Sequence, residues 1–201
     1  MEQFGTTRTG REVHTVTLRR GMLVARVLTL GAILQDLRHA GRPLTLGADC
    51  LDAYDGGPMA YFGAVIGPVA GRLRRAQGRL GGETLSLRTG DHPHALHCGT
   101  AGLHAAVWDE AGEDHLRLVT RAAPGVGGLP GTRRFAATYR LADDRLRLVL
   151  EAGTDAPTWV NLTHHGYWHL GGPPGIDGHR FSVAADRYLP VEDQTLPTGQ
   201  I

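Results

Sequence analysis

The sequence predicts an all-β chain, a large antiparallel sandwich or barrel, and three observations carry that prediction. Apolar and polar residues alternate at a two-residue period in run after run, turn signals recur about every ten residues, and no stretch shows the apolar stripe of a helix of normal length. The 29 glycines supply turns enough to build such a fold.

Taken in order, Val16 and Leu18, then Leu23, Ala25 and Val27, alternate on either side of Gly21, which is a hairpin pattern. Gly31-Ala32-Ile33-Leu34 continues the apolar face, and Gly41-Arg42-Pro43 is a turn signal leading into Leu44-Thr45-Leu46-Gly47. Asp52 to Met59 reads as a loop. Tyr61 to Val69 is apolar and punctuated by glycine, which suits a buried strand that another part of the chain approaches closely. Gly81-Gly82 separates Gly78-Arg79-Leu80 from Thr84-Leu85-Ser86-Leu87 as a second hairpin.

Residues 89–103 have no period and form a loop rich in functional side chains, His92, His94 and His97, with His104 just beyond. His115 to Val119, Phe135 to Leu141 and Arg145 to Leu150 read as strands, the last two joined at Asp143-Asp144. Pro124 to Gly131 reads as a surface loop, Thr158-Trp159-Val160 as a strand-like run, Gly171 to Gly178 as another loop and Phe181 to Ala184 as the start of a further strand.

At 201 residues with no shift in composition, residues 1–201 are expected to form a single domain. Lys plus Arg number 21 against 20 for Asp plus Glu, and the basic residues are scattered, so no nucleic-acid partner is indicated. The densest basic run, Arg72, Arg74, Arg75 and Arg79, is most simply a solvated strand face. No apolar run reaches membrane-spanning length, and the N-terminus lacks the basic start and apolar core of a signal peptide, so a soluble, cytoplasmic protein with no membrane partner is expected. Cys50 and Cys98 form no CxxC pair and indicate neither a disulfide framework nor a zinc finger.

The richest stretch is Asn161-Leu162-Thr163-His164-His165-Gly166-Tyr167-Trp168-His169-Leu170, with three histidines and two aromatics in ten residues. Three chemistries compete for it and for the 89–103 loop. His92-Pro93-His94 followed by His97 and Cys98 invites a metal, but a cupin-type site needs a Glu shortly afterwards and none is there, so no metal is expected. A serine or cysteine nucleophile is weaker still, because no Gly-x-Ser-x-Gly elbow exists. Histidine acid–base chemistry on a sugar uses His97 and His165 without a metal, since an imidazole of ordinary pKa, about 6.5, can give a proton at neutral pH.

Four segments, in order along the chain, carry a resemblance: Ile66-Gly67-Pro68-Val69-Ala70-Gly71-Arg72-Leu73; Leu96-His97-Cys98-Gly99 with Trp108 following; the Asn161 to Leu170 stretch; and Tyr188-Leu189-Pro190-Val191 through Leu196-Pro197-Thr198-Gly199. Together the chain resembles the aldose 1-epimerase (galactose mutarotase) family over essentially all its length. The resemblance implies a galactose mutarotase-like supersandwich, a large antiparallel β-sandwich, and an isomerase that interconverts the α and β anomers of free hexoses such as glucose or galactose with no cofactor. His165 matches the histidine that protonates the ring oxygen. His97 matches a second histidine that contacts the sugar, and Arg72 a substrate-binding arginine. Gly166 and Tyr167 fall at positions lining the same pocket. Gly71 and His164 stand where the family commonly has Asn, which puts one polar contact to the sugar in question. Members continue past the Pro-Thr-Gly segment into a part that carries a sugar-binding Asp and the general-base Glu. The expectation is therefore a chain whose C-terminal strands and base are missing, feeble as a mutarotase and prone to self-association through exposed sheet edges. The alternative is a non-catalytic carbohydrate-binding or regulatory domain of the same fold.

Overall fold

The computed structural model describes residues 1–89, 92–112, 115–171 and 175–201. Residues 90–91 of the predicted 89–103 loop and 172–174 of the predicted 171–178 loop lie outside the described residues. In chain order the first strands are β1 (Glu2–Thr6), β2 (Glu12–Arg20), β3 (Leu23–Leu28), β4 (Leu34–His39), β5 (Arg42–Pro43), β6 (Val65–Ile66), β7 (Arg72–Leu73), β8 (Gln77–Leu80) and β9 (Glu83–Ser86). They continue as β10 (Ala95–Leu96), β11 (Asp109–Glu110), β12 (Leu116–Ala122), β13 (Arg133–Ala142), β14 (Arg145–Thr154), β15 (Thr163–His164), β16 (Val191–Glu192) and β17 (Leu196–Pro197). Helical geometry among the described residues is limited to three-residue 3-10 turns, so the chain is all-β as predicted.

Strands β1 to β5 form one antiparallel sheet in sequence order and β11 to β14 another. Period-two alternation decides what lies between them. Leu23, Ala25 and Val27 of β3 point to the same side, and Leu116, Leu118, Phe135, Ala137 and Tyr139 of the second sheet meet them in one buried cluster. Tyr139 is fully buried and its hydroxyl donates to the Ala32 carbonyl at 2.7 Å, which ties the second sheet to the turn after β3. Trp108, 1% exposed, joins the same core, with its indole N–H donated to the Leu103 carbonyl at 3.2 Å.

Several local readings change. The Tyr61 to Val69 run is strand only at β6, with a turn before it, yet its glycines are needed for close approach as expected. A Cβ on Gly63 would sit 2.2 Å from the Leu34 carbonyl oxygen, and one on Gly67 2.4 Å from Leu162 Cδ2. Arg42-Pro43, read as a turn, is edge strand β5, a place where proline's missing N–H costs no ladder bond. Thr158-Trp159-Val160 and Phe181 to Ala184 are not strands, because no neighbouring strand pairs with them among the described residues. The Pro124 to Gly131 loop is not simply on the surface. It wraps the buried Arg133, whose guanidinium donates to the carbonyls of Leu129 (2.6 Å) and Val126 (2.9 Å), and Leu129 is itself fully buried.

Candidate active site

The segment from Tyr61 to Leu73 organises the site, because the other two motifs both add to it. β15 pairs with β6, so that the His165 N–H donates to the Ala64 carbonyl at 2.9 Å and the Gly63 N–H donates to the His165 carbonyl at 2.9 Å. β10 pairs with β7, with Leu96 opposite Arg72, and the His97 N–H donates to the Gly71 carbonyl at 3.0 Å. Backbone ladders thus bring positions 72, 97 and 165 to one place.

The rings of His97 and His165 meet edge to face with centroids 5.3 Å apart. Tyr61 stands among three imidazoles, 5.0 Å from His97, 4.6 Å from His104 and 6.0 Å from His165. Tyr167 stacks on His165 at 5.4 Å and lies flat on Phe62 at 3.6 Å, an aromatic platform whose outer ring is partly open to solvent. Beside them a cleft of about 470 Å³, of small-molecule size, is lined by Tyr61, Arg72, His92, His94, His104 and Gln194.

The Gly71 N–H donates to His97 Nδ1 at 3.1 Å, which makes Nδ1 the acceptor and leaves the ring proton on Nε2. Burial pushes His97 down to about 4, with His165, His104 and Arg72 adding to the same effect, so at neutral pH it is an uncharged donor. His104 is likewise lowered to about 4, by burial and then by His165. Arg72 donates through Nε to the Thr195 hydroxyl, and Arg74 pairs with the Glu192 carboxylate.

All the predicted site residues, Gly71, Arg72, His97, His165, Gly166 and Tyr167, come together here. Gly71 contributes backbone, and Gly166 leaves room, since a Cβ there would lie 3.0 Å from the His164 ring and 3.1 Å from the Trp168 indole nitrogen. The ten-residue cluster does not act as one site. Strand alternation turns His164 away from His165 and toward the core, 6.5 Å from the Tyr139 ring, where burial lowers it to about 4 against the pull of the Gly63 carbonyl. His164 therefore does not stand in for the family's polar sugar contact. His169 faces a peripheral loop, with Nε2 3.0 Å from the Gly175 carbonyl oxygen and its ring 5.4 Å from that of His179. The four-arginine run is not one solvated face, for Arg72 belongs to the cleft while Arg74 is held in its exposed ion pair. Tyr61, His104 and Thr195 are the residues that sequence reasoning missed. His104 carried a signal as one of the loop histidines, whereas Tyr61 was hidden in an apolar run.

The aldose 1-epimerase family profile matches residues 14–201. The chain belongs to the aldose 1-epimerase family. Human galactose mutarotase is 35% identical over 200 residues, a match covering 96% of this chain and 58% of the human protein. The aldose 1-epimerase of Escherichia coli (strain K12) is 29% identical over 198 residues, covering 94% of this chain and 57% of that one. Among solved structures, the GalM/aldose epimerase homologue from C. elegans superposes with a TM-score of 0.86 at 28% identity, over 94% of this chain and 60% of that chain. Galactose 1-epimerase from Lactobacillus acidophilus NCFM gives 0.74 at 27% identity, over 84% and 52%. The all-β sandwich is thus the family's fold, and the chain spans less than two thirds of the length of these relatives.

Proposed function

We propose that this protein is an isomerase that interconverts the α and β anomers of a free hexose such as glucose or galactose, with residues 1–201 acting as one domain. The observation that carries the reading is the contact between His97 and His165, next to Arg72, which lines an adjoining cleft of small-molecule size. In this mechanism His165 gives its proton to the ring oxygen as the bond from that oxygen to the anomeric carbon breaks, while a base removes the proton of the anomeric hydroxyl. The open aldehyde rotates about its C1–C2 bond and recloses on either face, returning both protons. Uncharged His97 donates through Nε2 to the sugar, Arg72 offers fixed donors to its hydroxyls, and Tyr167 backs His165 by stacking on it.

Glu192 is occupied by Arg74 and is not assigned as the base; the base is assigned to the part of the family length that this chain does not span. Two histidines in contact favour catalysis over mere sugar binding. Polarimetry of freshly dissolved α-glucose and α-galactose tests the reading. In the protein extended through the full family length, His165→Ala is expected to lower kcat by about a hundredfold or more, and Arg72→Ala to raise KM more than it lowers kcat. Unchanged rates in His165→Ala would remove the acid from the mechanism.

A further inference from the structure

We propose that the hairpin β16–β17 is a positioning device for the cleft, in which the Thr195 hydroxyl orients Arg72 and the Gln194 amide is a further sugar-hydroxyl contact. The proposal rests on the aldose reading above for its ligand, while the Thr195 part stands on geometry alone.

The hairpin is short and firmly seated. Val191 pairs with Pro197 and Glu192 with Leu196, the Thr198 N–H donates to the Pro190 carbonyl at 3.0 Å, and Leu196 is 3% exposed. Its tip reaches the arginine run at two points, through Glu192 to Arg74 and through Thr195 to Arg72. The Thr195 hydroxyl gives its own proton to the Gln194 carbonyl at 2.7 Å, so an oxygen lone pair is left to accept from Arg72 Nε. A guanidinium held at Nε has its plane fixed, with its two terminal nitrogens presented as a fork. No described residue accepts from those terminal nitrogens. They are therefore free to meet two hydroxyls of a sugar.

Backbone geometry points the same way. Gln194 and Thr195 both lie in the left-handed region, at φ 63° and 56°, which is costly for a β-branched residue. Among the described residues, consecutive non-glycine pairs in that region occur at Arg75-Ala76, His97-Cys98 and Gln194-Thr195. Each borders the cleft: the Arg75 N–H donates to Nδ1 of the cleft residue His94, and His97 is itself in the site. At the hairpin tip this conformation brings Gln194 into the cleft wall with Arg72 and His104. A carboxamide there offers both a donor and an acceptor, which suits sugar hydroxyls that differ between epimers only in direction.

The experiment compares Thr195→Val, which keeps the shape and loses the hydroxyl, with Thr195→Ser, which keeps the hydroxyl, and adds Gln194→Met. Two readouts are taken: the Arg72 Nε–H signal in nitrogen-15 NMR on the 201-residue chain, and kcat and KM for glucose and galactose on the chain extended through the full family length. The Nε–H signal is expected to be protected from solvent exchange in the wild type and Thr195→Ser, and lost in Thr195→Val. KM is expected to rise about tenfold in Thr195→Val with kcat within about twofold, and Thr195→Ser to restore it. Gln194→Met is expected to change the ratio of kcat/KM between the two sugars by about tenfold. An unaltered Nε–H signal in Thr195→Val overturns the positioning role, and an unaltered sugar ratio in Gln194→Met overturns the amide contact. A wild type inert toward both sugars overturns the amide contact together with the aldose reading, while the NMR comparison still decides for or against Thr195.

Discussion

Two aromatic residues before His169 and two after it use the same kind of side chain in opposite ways. Trp108 and Tyr139 are almost completely enclosed between the two sheets, at 1% and 0% exposure, whereas Phe181 and Tyr188 stand at 92% and 78%. Their chemistry is alike; their surroundings differ. Leu116, Leu118 and Phe135 are buried because β3 and β4 supply a second apolar face, and the stretch around Phe181 has no such face among the described residues. An apolar residue contributes to stability through the surface it shares, so this difference should be plain in energies.

The sharpest test of the contrast is a pair of truncations. Trp108→Ala is expected to cost about 3–5 kcal/mol in denaturant unfolding, and Phe181→Ala to fall within about 0.5 kcal/mol of wild type. Equal losses would mean that Phe181 is packed in solution. Gly63→Ala comes next, at about 2–4 kcal/mol, because the added methyl group meets the Leu34 carbonyl oxygen on a backbone with φ +66°. A melt within a degree or two of wild type would show that this turn yields. Tyr139→Phe, which leaves the Ala32 carbonyl without its buried donor, is expected to cost about 1–3 kcal/mol, while Tyr188→Phe should leave the melt where it was.

A smaller effect follows from pH and belongs to residues before His169. His97, His104 and His164 are each held near 4 in the folded chain, while in the unfolded chain they titrate near 6.5. Below about 6.5 the unfolded chain gains protons that the folded chain refuses, so the thermal midpoint should fall as pH drops from about 6.5 to about 4 and these groups should add no further loss below that. His164→Asn removes one of the three and should flatten the slope. A midpoint constant across that window would mean that these rings are better hydrated than their packing implies.

Much of the fold was legible because alternation and turn chemistry are local. The hairpin at Gly21, the turn at Asp143-Asp144 and the Gly81-Gly82 hairpin all stand where local chemistry put them. The failures share one cause. Phe181 to Ala184 reads as a strand in isolation, but a strand exists only when another strand completes its hydrogen bonds. Arg42-Pro43 erred the other way, since a partner in β4 turned a nominal turn into an edge strand.

The sequence by itself determined the chemistry on offer and the main hairpins. His97 and His165 stood out as acid–base candidates, and Arg72, Gly71, Gly166 and Tyr167 could be named because the strings around them resemble those of the aldose 1-epimerase family. Only the tertiary structure decided which neighbours those residues have. Period-two alternation says that His164 and His165 face opposite sides, but not which of them meets His97; the pairing of β15 with β6 brings His165 there. Nor could any local pattern bring Tyr61 between three imidazoles, or set Thr195 against an arginine 123 positions away. Such contacts are made by the register of paired strands and the seating of a hairpin, and both depend on surfaces that exist only once the chain has folded.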